Sequence, residues 1–132
     1  MRTAIDSSVL HAVFNEEEDA AEWVALLAKK RLTGTLLICE TVYAEISAGF
    51  EDEAELELAL DGLGIRYDPI SSHAAFLAGK IFIRYRKAGG PRQFMLPDFL
   101  IGAHARAQAD ELAAIDHGYL RRYFAELKLV SP

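Results

Sequence analysis

Leu96-Pro97-Asp98-Phe99-Leu100-Ile101-Gly102-Ala103-His104-Ala105 is the stretch whose reading decides the fold. Pro97 suits the first position of a helix, where a missing N–H costs nothing. Asp98 then falls in the first turn, where the helix dipole favours a carboxylate. The residues that follow are apolar or small on nearly every side, so the helix is expected to be largely buried. A carboxylate at the mouth of such a helix must face water or a cation. Alone, Asp98 reads equally well as a charge that serves the helix start. Other acids of the chain fall at comparable places, and that changes its reading.

Working outward, short apolar runs alternate with helical patterns. Thr3-Ala4-Ile5 is expected to be a buried strand that ends at Asp6, with Ser7 or Ser8 capping a helix through Val9, Leu10, Ala12, Val13 and Phe14. The acidic run 15–19 precedes a helix with Ala21, Val24, Ala25, Leu27 and Ala28 on one stripe and Lys29-Lys30-Arg31 near its end, and Gly34 ends it. Thr35–Cys39 is continuous and apolar, as a central parallel strand is. A helix over Val42–Gly49 carries Glu45 among Tyr43, Ala44, Ile46 and Ala48, while Glu40 reads as a helix-start charge. Glu51–Leu60 is expected to be helical because Glu, Ala and Leu all favour helix, and residues 61–64 form a turn. Ile65-Arg66-Tyr67 is a short strand, and a helix capped by Ser71 or Ser72 runs on to Arg84-Tyr85-Arg86-Lys87, with His73 on its surface. Gly89-Gly90-Pro91 marks an exposed loop before Asp98. Leu112–Ile115 is a strand that ends at Asp116, Tyr119–Phe124 a short helix or turn, and Leu127–Val130 the last strand.

This alternation predicts an α/β fold in three layers, α/β/α, around a central parallel sheet, with residues 1–132 as one domain. The net charge of −6 argues against an unfocused electrostatic nucleic-acid binder. It leaves room for an enzyme with a local basic patch. One cysteine, Cys39, rules out an intrachain disulfide framework. With no signal peptide and no membrane-length apolar run, the expected location is cytoplasmic.

A parallel sheet brings its strand ends to one edge, so Asp6, Glu45, Asp98 and Asp116 are expected to share a cleft there. Four clustered carboxylates repel one another unless cations bind them, and hard oxygen ligands suit Mg²⁺ or Mn²⁺. Two such ions can serve phosphodiester cleavage. His11, His73, His104 and His117 show no zinc-type pairing. Arg86, Lys87 and Arg92, in the dense basic stretch of an acidic chain, are the candidates for contacts to nucleic-acid phosphates.

The ordered set Ala4-Ile5-Asp6-Ser7-Ser8, Tyr43-Ala44-Glu45-Ile46, the stretch 96–105, and Asp116-His117-Gly118-Tyr119 with Arg121-Arg122-Tyr123-Phe124 resembles the PIN-domain family, specifically VapC-type toxin ribonucleases. The resemblance covers essentially the whole chain. It implies a PIN-like fold, Mg²⁺- or Mn²⁺-dependent endoribonuclease activity, and Asp6, Glu45, Asp98 and Asp116 as catalytic metal ligands. It also implies a homodimer and a small VapB-type antitoxin that inhibits the enzyme and supplies operator-DNA binding. One position departs from the pattern. Many relatives carry Ser or Thr two residues before the last acid, and here that residue is Ala114. Ser7 is the candidate supporting hydroxyl beside Asp6. Two rivals stand beside the enzyme: a catalytically weak PIN-fold binding module in a repressor complex, and a phospho-acceptor receiver domain. The receiver needs an aspartate ending a central strand, and the second strand here ends at Cys39-Glu40.

Overall fold

The computed structural model describes residues 1–115 and 118–132. In chain order the elements are β1 (Arg2–Ile5), α1 (Ser7–Phe14), α2 (Ala20–Thr33), β2 (Thr35–Ile38), α3 (Glu40–Ser47) and α4 (Glu53–Leu63). Then follow β3 (Ile65–Tyr67), α5 (Ser72–Lys87), α6 (Leu96–Gln108), β4 (Glu111–Ala113), α7 (Tyr119–Tyr123) and β5 (Leu129–Val130). All strand pairs are parallel and the sheet order is β3-β2-β1-β4-β5. The order reverses between β1 and β4, and in open sheets of this kind ligands bind outside the strand ends at such a reversal.

Alternation along the strands separates two apolar layers. Ile5, Leu36, Ile38 and Ala113 pack with α1, α2, α3 and α4 on one face. Ala4, Leu112 and Ala114 pack with α5, α6 and α7 on the other. The three-layer α/β/α arrangement is therefore present. Helix α6 serves both layers, giving Ile101 to the first and Phe99, Ala103 and Ala105 to the second. Its Gly102 is required by close approach: a Cβ there would lie 2.5 Å from the Phe124 ring.

Several local expectations need adjustment. Helix α6 begins at Leu96, so Pro97 is its second residue and Asp98 its third. Helix α2 buries Trp23 and Leu27, whereas Ala21, Val24, Ala25 and Ala28 are exposed. Alanines occur all round this helix, so the large side chains, not the apolar stripe, choose the buried face. Helix α3 starts two residues earlier than expected, at Glu40. Helix α4 continues through Leu63, and Gly64, at φ 74°, supplies the left-handed cap. Its Leu56 and Leu60 are buried and Leu58 is 73% exposed, as helical spacing requires.

Two polar clusters fasten the frame. The segment after β3 is tied to α3 by Ile70 N–H donating to Glu40 Oε1 (2.9 Å), and to α6 by Ser71 N–H donating to Gln108 Oε1 (2.8 Å). Buried His104 sets Nε2 2.8 Å from Asp68 Oδ2, and Gln108 Nε2 donates to the same oxygen at 3.0 Å. At the start of β4, Glu111 is fully buried, with Thr3 Oγ1 donating to its Oε2 at 2.8 Å and Lys30 Nζ at 2.9 Å. Lys128 Nζ is 3.5 Å from Oε1. Burial alone pushes the Glu111 pKa up, but Lys30, Thr3 and Lys128 outweigh it and hold the carboxyl below its usual value. Such a group stabilises the fold above its unfolded pKa, and that stabilisation is lost as pH falls through the folded value.

Removing the Lys30 ammonium leaves a buried carboxylate short of its main partner. Lys30→Met is expected to cost roughly 3 kcal/mol at pH 7 and less in acid, where Glu111 is protonated. Lys128→Met, at an exposed lysine, is expected to cost under about 1 kcal/mol. Urea melts of both variants at pH 7 and in acid check this, and equal losses for the two would refute the ranking.

Candidate active site

The site is built at the reversal of strand order. Asp6 follows β1 directly, and its N–H donates to Ala113 O of β4 (2.9 Å). Its carboxylate, only 8% exposed, is itself the N-cap of α1, accepting from Ser8 N–H at 3.2 Å. Ser7 and Ser8 therefore lie inside the helix they were expected to cap. Ser8 Oγ also donates to Asp6 Oδ2 in a short hydrogen bond, and accepts from Ile115 N–H at 3.2 Å. One hydroxyl thus joins the exit of β1 to the exit of β4.

Ser7 turns the other way and donates from Oγ to Glu45 Oε1 at 3.0 Å. The hydroxyl expected to support Asp6 therefore supports Glu45, and the neighbouring Ser8 supports Asp6. Glu45 is not embedded among apolar neighbours, because Ala44, Glu45 and Ala48 are all exposed. It stands on the open side of the cleft. Asp98, half-buried in the first turn of α6, accepts Met95 N–H on Oδ2 at 2.8 Å. Asp98 thus does serve its helix start, through one oxygen.

The electrostatics draw Asp6, Glu45 and Asp98 together. Burial pushes the Asp6 pKa up; the Ser8 bonds pull it down, and the Asp98 charge adds to the rise. Burial also raises the Glu45 pKa, opposed by the Ser7 bond, and the charges of Asp6 and Asp98 raise it further. The Asp98 charge acts on both Asp6 and Glu45, and the Asp6 charge on Glu45, so these three acids share one field. Asp116 and His117 lie outside the described residues. Among the described residues, no group of three or more His, Cys, Asp or Glu side chains is gathered closely enough to hold a metal ion. The donor chemistry is nonetheless all carboxylate and hydroxyl oxygen, which suits a hard divalent cation and not a soft one.

Arg86, Lys87 and Arg92 are all exposed, at the end of α5 and in the loop after it. The Arg86 guanidinium lies 5.9 Å from the Phe82 ring centroid. Tyr85, in the middle of this basic run, is a core residue at 3% exposure. Its Oη donates to Pro91 O and its carbonyl accepts Gly90 N–H (2.9 Å), so the loop is fastened to the helix end.

The family model for the PIN domain matches residues 3–125. The chain belongs to the PIN-domain family. Among solved structures it is similar to VapBC2 from Rickettsia felis bound to a DNA fragment from its promoter, with 20% identity, 98% of each chain covered and a TM-score of 0.73. It is also similar to VapBC-1 from nontypeable Haemophilus influenzae, with 15% identity, 99% of this chain and 98% of that one covered, and a TM-score of 0.69. The sarcin-ricin-loop-cleaving toxin VapC20 of Mycobacterium tuberculosis is 15% identical, with 98% of this chain and 99% of that one covered and a TM-score of 0.65. No curated protein matches the sequence. Among the described residues, no helix is long and apolar enough to cross a membrane.

The raised Asp6 pKa has a defined consequence in this PIN domain. The native state holds the Asp6 proton more tightly than the unfolded chain, so stability declines as pH rises from the unfolded value of about 3.9 through the folded one. Asp6→Asn keeps an N-cap acceptor and removes the charge. In chelator its melting temperature is expected to exceed the parent's at pH 7, with the gap closing at pH 3. A lower melting temperature at pH 7, with the deficit shrinking toward pH 3, would show that Asp6 is needed as a charged anchor.

Proposed function

We propose that this chain is a divalent-metal-dependent endoribonuclease, the VapC-type toxin of a toxin–antitoxin pair. The observation that carries this reading is the placement of Asp6 at the strand-order reversal of a PIN domain, held by Ser8 to the β4 exit, with Glu45 bonded to the adjacent Ser7. Family membership and the likeness to VapC-containing structures support it.

In this reading Asp6, Glu45 and Asp98 hold Mg²⁺ or Mn²⁺, directly or through water, and Asp116 completes the set. The cation, when bound, supplies positive charge for the scissile phosphate and for activation of water. The protein residues have separate tasks. Ser8 fixes the Asp6 carboxylate against the β4 exit, and Ser7 fixes Glu45. The Met95 bond orients Asp98 through Oδ2 alone. The first turns of α1 and α6 add their positive dipole ends beside these acids, where an RNA phosphate would also be favoured. Arg86, Lys87 and Arg92 place the RNA backbone. The expected partners are a small VapB-type antitoxin, through which operator DNA is bound, and a second copy of this chain as a homodimer. The expected location is the cytoplasm.

A second reading is favoured by the lack of a tight ligand group among the described residues. There the chain is a catalytically weak PIN-fold module that acts only in a repressor complex. Asp98→Asn separates the two. Structured RNA cleaved by the parent in Mn²⁺ should survive the variant, with a loss of at least about 100-fold in rate and an unchanged fold by circular dichroism. Equal rates, with contaminating nuclease excluded, would contradict the assignment.

Neutralising Arg86, Lys87 and Arg92 together is expected to weaken RNA binding and to flatten its dependence on salt, because fewer counterions are released. Binding isotherms between low and moderate salt measure this. An unchanged slope would remove these residues from the RNA path.

A further inference from the structure

A concave pocket opens between the loop after α5 and helix α7, and none of the candidate acids lines it. Its volume is about 370 Å³, and its lining includes Tyr85, Phe94, Tyr119 and Tyr123, with Gly89-Gly90 and Arg122 at the edge. Phe94 and Tyr119 are stacked with centroids 4.4 Å apart at 29°. Tyr85 meets Tyr123 edge-on at 5.2 Å. The pocket is joined to the candidate site through the chain itself. Phe99, the residue after Asp98, contacts Tyr85 at 5.1 Å, Tyr119 at 5.9 Å and Tyr123 at 6.0 Å. Phe94 immediately precedes Met95, whose N–H is held by Asp98.

The segment that supplies Tyr85, the loop and Phe94 is basic, unlike the chain as a whole. No acid occurs between Asp68 and Asp98, a stretch that carries Lys80, Arg84, Arg86, Lys87 and Arg92. Arg122 of α7 lines the pocket itself. The Arg122 guanidinium is 5.5 Å from the Tyr123 ring centroid, at the pocket edge. Aromatic walls with cations at the mouth match one chemical object well: a flat aromatic base carried on an anionic backbone.

The hydrogen-bonding groups of the loop are largely committed. Ala88, Gly89 and Gly90 N–H donate to Arg84 O, Arg86 O and Tyr85 O, and Tyr85 Oη donates to Pro91 O. With Tyr85 and Tyr119 buried, half-buried Phe94 and Tyr123 supply the exposed ring surface, so the pocket offers stacking surface more than edges for base reading. Taking the ribonuclease reading above as its basis, we propose that this aromatic pocket seats one unpaired base of the RNA strand next to the cleavage site, by stacking and with little discrimination among bases. The seat fixes which phosphate reaches Asp6, Glu45 and Asp98. It also restricts cutting to places where a base can leave its stack, such as a loop.

The test uses the intact protein in EDTA with a fluorescein-labelled single-stranded oligoribonucleotide, read by polarisation. An abasic ribose is placed at each position in turn. One position is expected to lose about tenfold in affinity when its base is removed, the size of one stacking contact. Exchanging that base for another is expected to matter much less. Tyr123→Leu, which keeps apolar bulk without the ring, should abolish the abasic penalty. Ala88→Leu should do the same by filling the mouth from an exposed position that carries no core packing. It decides the matter if Tyr123→Leu melts abnormally. No position-specific penalty, a penalty that persists in the folded variants, or no binding of the oligonucleotide at all would overturn the seat. Cleavage in Mn²⁺ is measured alongside. Cleavage with penalties untouched by the variants overturns the seat alone. A penalty abolished by the variants without metal-dependent cleavage overturns the ribonuclease reading and keeps the seat.

Discussion

The Ser8 hydroxyl is the small contact on which the arrangement of the site depends. It donates to Asp6 Oδ2 and accepts Ile115 N–H, so it pins the carboxylate that follows β1 to the chain leaving β4. These two strands flank the reversal in strand order, the place where open sheets of this kind form a crevice. A buried carboxylate there would be costly without such bonds. With them, Asp6 is oriented yet still carries a raised pKa, a state that a divalent cation would relieve. Burial is the larger cause of that rise and the Asp98 charge adds to it; in the proposed site a cation would offset both.

The opposite end of β4 handles a buried acid differently. Glu111 is enclosed with Lys30, Thr3 and Lys128, and its pKa is lowered. Its charge is neutralised by the protein itself, which fits a structural role in locking α2 and β5 to the centre of the sheet. Among the described residues Asp6 has no basic partner in its hydrogen bonds and ion pairs, and the Asp98 charge adds to the rise in its pKa. Both acids are buried against β1 and β4. What separates the anchor from the candidate ligand is the presence of a resident counter-charge.

Much of this was legible in the sequence, for reasons that can be named. Thr35-Leu36-Leu37-Ile38 is continuously apolar because β2 is covered on both faces, and its strand character follows. Asp6 and Asp98 stood out because each interrupts an apolar run at an element boundary. Other features were hidden. The division of labour between Ser7 and Ser8 depends on which way each side chain turns at a helix start, and adjacent serines carry no signal of it. Glu45 is only partly shielded, not embedded among Ala44 and Ala48 as its neighbours suggest; the packing of α3 beside α1 is what brings it to Ser7. Glu111 and Lys30 are far apart in sequence, so their pairing could not be read before the sheet was assembled. Tyr85 was masked by the basic residues around it, although its spacing from Ile81 and Ala78 is that of a buried helix face.

The central claim is that the reversal of strand order gathers Asp6, Glu45 and Asp98 into one cation site. Titration of Mn²⁺ into the metal-free protein, followed by the loss of the free-ion electron paramagnetic resonance signal, tests this most directly. Saturable binding by the parent, weakened in each of Asp6→Asn, Glu45→Gln and Asp98→Asn, and weakened by less than the sum in the paired variants, is the expected result. Binding of equal strength in the parent and all three single variants would contradict it.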